Sequence, residues 1–180
     1  MNGYDKLLRS RKRIMESITQ NIHLFGQPPS AGRQYSMLFF ENKSMTLDEM
    51  AEELGMSKTS MSTSIRSLAE SKLVERVWER GVRKDLYKVN DDWYQNFIDT
   101  FSLRWGRSIS LHLSAIRRSK RELQELIEDE SADEEVVELA KQDIEKLNYM
   151  RSYYEWLERL VDAFEDHKIF DLVPKNEKEY

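Results

Sequence analysis

The sequence contains no cysteine. That excludes a disulfide framework, a thiolate metal site and a cysteine nucleophile, and it suits a reducing compartment. Long hydrophobic runs are missing as well: no window approaches the roughly 20 apolar residues that span a bilayer. The opening MNGYDKLLRSRKRIMES holds no apolar core of signal-peptide length, so the expectation is a cytoplasmic protein without a membrane partner. Proline (three) and glycine (six) are scarce, so the few present, such as Gly26, Pro28, Pro29 and Gly55, act as punctuation between helices. Positive charge is in deficit, with a formal net charge of -5. Taken over the whole chain, that deficit argues against a polyanionic partner. Catalytic signatures are absent too. There is no GxSxG, P-loop, GxGxxG or zinc ribbon, and His23, His112 and His167 are too dispersed for a ligand set. An enzyme, a metal site and a resident cofactor are therefore not expected.

What is present is unevenly distributed. Between Ser57 and Lys88 eight bases face four acids, a local net charge of +4, which leaves -9 for the rest of the chain. With 180 residues, 39% of them hydrophobic, the chain can build one compact domain, or one domain with an appended element.

Apolar residues at three- and four-residue intervals predict an amphipathic helix over residues 4–25, ended by Gly26. After the turn QPPS, Ser30 is placed to cap a second helix running to Phe40. In MTLDEMAEEL, Thr46 and Glu49 form a capping box, and Gly55 supplies the stop. Ser57 then starts a helix whose inward positions are Met61, Ile65 and Leu68. The segments LVERVWE and LYKV read as strands joined around Gly81, a hairpin with a basic tip. Asp91 or Asp92 caps a long helix with Trp93, Phe97, Phe101, Trp105, Ile109, Leu113, Ile116 and Leu123 close to one stripe. SADEE, with Ser131 or Asp133 as cap, turns the chain into a second long helix with a 3, 4 apolar seam from Val137 to Phe164. Such long helices need a partner for their stripes, in part each other and in part a second subunit. The expected fold is mainly α with a small β-hairpin wing. Residues 1–90 form a winged helix-turn-helix, and residues 91–180 a long-helix dimerisation region.

Helix, glycine turn, helix and basic hairpin, in that order, describe a unit that docks on double-stranded DNA. The segment opening at Ser57 is crowded with short hydroxyls. These let a helix enter a major groove closely and bond to phosphates or base edges. The expected contacts on that helix are Ser57, Lys58, Thr59, Ser60, Ser62, Thr63 and Arg66. Those on the hairpin are Arg80, Gly81, Arg83 and Lys84, suited to an adjacent minor groove. The competing reading is a protein-interaction scaffold that uses the same unit without DNA. The acidic total charge favours the scaffold, and the local +4 favours DNA.

The segments NIHLFGQPPSAGRQY, MTLDEMAEELGMSKTSMSTSIRSL and VWERGVRKDLYKVNDDWY also carry a resemblance. Over nearly its whole length the chain resembles the GbsR-type branch of the MarR superfamily of bacterial regulators. The resemblance implies a homodimer acting as a repressor on a palindromic operator, with control of osmoprotectant (choline and glycine betaine) uptake or synthesis. For some members it also implies a small-molecule effector such as choline. A quaternary ammonium is held by the faces of aromatic rings. The expected cage is Tyr35, Phe101, Trp105 and Tyr149.

Overall fold

The computed structural model of the chain describes residues 2–41 and 43–176. The chain divides into two compact units, Met1–Thr100 and Phe101–Tyr180. The division expected after residue 90 therefore falls later, inside a helix that runs continuously through it.

The first unit begins with α1 (Gly3–Asn21), closed at its start by a capping box between Asn2 and Asp5. The expected helix over 4–25 does not run to its end as α-helix: Ile22–Phe25 tightens into a 3-10 turn. Gly26, at φ 73°, returns its N–H to His23 O at 2.8 Å, which satisfies a terminal carbonyl as the chain reverses. The next helix, α2 (Pro29–Phe40), is not capped by Ser30. Pro28 occupies the cap and Pro29 the first helical position, where its fixed φ suits the helix and its missing N–H costs nothing. Thr46 and Glu49 form the expected capping box of α3 (Leu47–Leu54), and Gly55 ends it at φ 61°. Ser57 caps α4 (Lys58–Glu70), its Oγ accepting from Ser60 N–H at 3.2 Å.

The strands β2 (Val74–Val77) and β3 (Leu86–Val89) pair antiparallel. The sheet has a third member, β1 (Met45–Thr46), which pairs Met45 opposite Tyr87 and gives the order β1-β3-β2. Two residues carry no readable alternation, so this strand left no trace in the sequence pattern. Buried Met50, Met61, Ile65, Leu68, Leu73 and Val74 form the centre of the core beneath α4.

The segment around QPPSAGRQY holds α4 by polar contacts at several points. Gln27 donates to Ser71 Oγ at 2.7 Å and accepts from Ser67 Oγ at 2.7 Å. The fully buried Gln34 reaches Met61 O at 3.5 Å, and Ser64 donates to Ser30 Oγ at 3.4 Å. Buried polar groups of this kind fix one orientation of a helix where apolar packing alone would tolerate several.

The remaining helix α5 (Trp93–Glu128) opens with Asp92 accepting from Gln95 N–H at 2.9 Å, as expected of its cap. In the second unit α5 pairs with α6 (Glu134–Glu165), and the short α7 (Ile169–Leu172) follows. Asp133 sits at the N-cap of α6 but its side chain makes no capping bond. Ring contacts between Phe101 and Phe164 (4.8 Å) and between His112 and Tyr154 (4.4 Å) show the two helices running antiparallel. Their buried centre is Ile109, Leu157 and Val161.

The expected single stripe on α5 is not one face. Trp93, Phe97, Phe101, Trp105 and Ile109 repeat every four residues, and at 3.6 residues per turn each step rotates by about 40°, so the ladder winds around the helix. Phe97 and Trp105 are exposed, while Ile98, Ile109 and Ile116 are buried.

Candidate nucleic-acid interface

With Met61, Ser64, Ile65 and Leu68 buried, α4 presents Lys58, Thr59, Thr63 and Arg66 to solvent. Thr59, Thr63 and Arg66 stand at i, i+4 and i+7, one face of the helix. Ser60 and Ser62, expected alongside them, are half-buried on its shoulders, and Ser57 is exposed but committed to the cap. Thr63 Oγ1 donates to Thr59 O at 3.1 Å, which leaves its lone pairs free to accept.

The loop joining β2 to β3 turns through Gly81, at φ 91°, and exposes Arg80, Arg83 and Lys84. A Cβ at Gly81 would meet nothing within 4 Å, so glycine is required there by backbone conformation and not by space.

Ion pairing sorts the eight bases of this region. Lys72 bonds Asp99 at 3.2 Å, Lys88 bonds Glu75 at 2.9 Å, and Arg76 is paired with Asp85. Lys58 and Lys84 both bond Asp48, each at 2.7 Å. Among the described residues Arg66, Arg80 and Arg83 have no ion-pair partner. The net positive charge read from the sequence thus resolves into three free guanidinium groups, one on the helix and two on the hairpin. These are the side chains suited to phosphate and groove contact. We expect Arg80→Ala and Arg83→Ala each to weaken binding to all DNA and to reduce the salt slope by about 0.9, as for a lost phosphate contact. Binding titrations at several salt concentrations check this.

Two side chains of this surface escaped the sequence reading. Asp48 is one; only the fold brings it between Lys58 at the start of α4 and the more distant Lys84 of the hairpin loop. Trp78 is the other. It follows β2 and is 84% exposed, an unusual position for so large an apolar ring. Its place in VWE reads as part of an alternating strand, which hides it.

The expected aromatic cage divides between the two units. In the second unit Phe101 and Trp105 are neighbours, with ring centroids 6.1 Å apart, while Tyr149 stands 82% exposed on α6. In the first unit Tyr35 meets Trp93 edge to face at 6.1 Å. Both rings line a cavity of about 210 Å³ together with Ile18, Ile22, Phe25 and Asn96. Asn96 is buried; its Nδ2 donates to Asn90 O at 2.8 Å, and its Oδ1 has no hydrogen-bond partner. Burial pushes the Tyr35 hydroxyl up to about 12, with the Asp91 charge adding to the effect, so it stays neutral.

Comparison with known proteins places this geometry. The chain is 36% identical to the HTH-type transcriptional repressor OpcR of Bacillus subtilis (strain 168), with 97% of this chain and 94% of that protein aligned. It is 32% identical to the HTH-type transcriptional repressor GbsR of the same organism, over 94% of each. The family model described as "GbsR family transcriptional regulator, C-terminal helical hairpin" matches residues 93–171. The chain belongs to the GbsR family of transcriptional regulators. It is a DNA-binding regulator, and the hairpin the family description names is the α5–α6 pair. A putative regulator of Bacillus subtilis, YvaV, is 41% identical over 90% of this chain and 91% of that protein. The fold is shared with a crystal structure titled as a transcriptional regulator, at TM-score 0.62 and 19% identity over 88% of this chain and 98% of that one. Among the described residues no helix is long and apolar enough to cross a membrane.

Proposed function

We propose that the chain is a repressor of osmoprotectant uptake or synthesis genes, acting as a homodimer on a palindromic operator. The observation that carries the repressor reading is whole-length similarity to two named repressors. Dimerisation is supported by the large apolar side chains that the hairpin leaves uncovered, among them Leu103, Leu111, Leu139, Tyr153 and Trp156. Two-fold symmetry in the protein implies two-fold related half-sites about 34 Å, one helical turn, apart. Selection of bound fragments from genomic DNA, with light scattering on the free protein, tests this. The expected results are inverted half-sites next to osmoprotectant genes and a particle of twice 21.5 kDa. A stable monomer on an asymmetric site would overturn it.

The effector reading rests on the first-unit cavity, lined by Tyr35, Trp93 and Asn96, whose buried Oδ1 has no hydrogen-bond partner in the protein. Rings contribute about 0.5 to 2 kcal/mol each toward an alkylated ammonium, and a carbonyl oxygen can accept from a ligand hydroxyl. Choline has both groups. To weaken operator binding tenfold it must prefer the non-binding conformation by about 1.4 kcal/mol. Calorimetric titration with millimolar choline is expected to give heat with the parent protein and little with Trp93→Ala. No heat with the parent would remove the effector and leave the repressor standing.

A further inference from the structure

Asp48 lies in the first turn of α3, the helix that precedes α4. Its two carboxylate oxygens are divided between two lysines: Oδ1 is 2.7 Å from Lys58 Nζ and Oδ2 is 2.7 Å from Lys84 Nζ. Lys58 is the first residue of α4, and Lys84 belongs to the β2–β3 loop. One acid thus ties the start of the reading helix to the hairpin, on the face where both would meet DNA. The arrangement is a poor device for stability. All three side chains are well exposed, at 41%, 66% and 65%, and exposed ion pairs contribute little. Other acids of the region are used differently: Glu49 is taken up by the Thr46 cap, and Asp85 and Glu75 pair within the hairpin itself.

We propose that Asp48 is a specificity-determining residue of the DNA interface, a carboxylate that stands where a phosphate would and withholds Lys58 and Lys84 from indiscriminate binding. The proposal rests on the interface assigned above. Non-specific affinity is the sum of lysine and arginine contacts to phosphate, made at any sequence and in many poses. A lysine already bonded to a carboxylate adds little to that sum, because each phosphate must compete with a partner at 2.7 Å. Arg66, Arg80 and Arg83 have no such partner, so three of the five cations on this face add freely to that sum while the two lysines are held back. The clamp also gathers the two ammonium groups at one carboxylate, so a pose that seats helix and hairpin together meets both. Hydrogen bonds from Lys58 and then Lys84 pull the Asp48 carboxyl down to about 2, so the clamp stays charged throughout the pH range of any binding assay.

The experiment is a salt titration of binding to operator and to random-sequence duplex, with the full chain carrying Asp48→Asn, Asp48→Ser, Lys58→Ala or Lys84→Ala. Thermal melts confirm that each is folded. Both Asp48 variants are expected to bind random duplex about threefold tighter or more, with a salt slope steeper by about 0.9 for each lysine released. Operator binding should change less, so the ratio of operator to random affinity falls. If the lysine variants weaken binding while the Asp48 variants leave random-duplex affinity and slope unchanged or lower, Asp48 is only a structural tether. The interface then stands and the proposal falls. If no variant changes either slope, the assignment of these lysines to the interface is itself wrong, and the proposal goes with it.

Discussion

Gly32→Ala is expected to destabilise the protein by a net of about 1 to 2 kcal/mol, although alanine is the better helix former by about 1 kcal/mol. The reason is the approach of α1 to α2. A Cβ built on Gly32 would lie 2.8 Å from Ile22 Cγ2 and 2.9 Å from Thr19 Cα. The second contact is backbone, so no rotamer change relieves it, and α1 has to move outward. Overpacking costs about 1 to 3 kcal/mol, and a clash with backbone falls in the upper part of that range, about 2 to 3, which outweighs the gain in propensity. For a chain of this size each kcal/mol corresponds to roughly 2 to 4 °C in Tm, so a fall of about 2 to 8 °C is expected in a thermal melt. Gly106→Ala is the internal control. It lies in the interior of α5 with nothing within 4 Å of an added Cβ in the single chain, so the same substitution there should raise Tm. Equal melting shifts at the two positions would show that α1 does not press on Gly32.

The contrast between those two glycines bears on what could be read in advance. Local signals were legible because they are made by neighbours in sequence. Thr46 with Glu49, Gly55, Ser57, and the inward set Met61, Ile65 and Leu68 all stand in the structure where the spacing puts them. The motif NIHLFGQPPSAGRQY was conspicuous, yet its purpose was not visible. Gln27, Ser30 and Gln34 serve α4, which lies roughly thirty to forty positions away, and Gly32 serves α1. Nothing within the motif says so. Charge behaved in the same way. Counting bases over Ser57 to Lys88 located the interface but could not show that Asp48 and Asp99, both outside that window, neutralise part of it. Helical spacing says which rings share a helix, not which helices meet, so it does not single out Trp93 as the ring that Tyr35 meets.

Arg66→Ala is expected to cost operator binding about 1 to 3 kcal/mol, roughly a five- to 150-fold loss, the range for a side chain that reads a base. Three observations single it out. It shares the exposed face of α4 with Thr59 and Thr63, its neighbours Ile65 and Leu68 are buried and so fix that face outward, and no acid neutralises it. Thr63 is the weaker candidate, because its hydroxyl hydrogen is already given to Thr59 O and an alanine there loses only an acceptor. Arg66→Lys separates the two things an arginine can do. A contact to one phosphate is met nearly as well by an ammonium, so lysine would restore most of the affinity and the salt slope. A bidentate contact to the O6 and N7 of a guanine needs the planar fork, so lysine would restore the slope while leaving discrimination at one base pair relaxed. Site selection from a random pool, run on the parent and on both variants, distinguishes these. An unchanged consensus for Arg66→Ala, with affinity lowered equally on every sequence, would move Arg66 from the bases to the backbone.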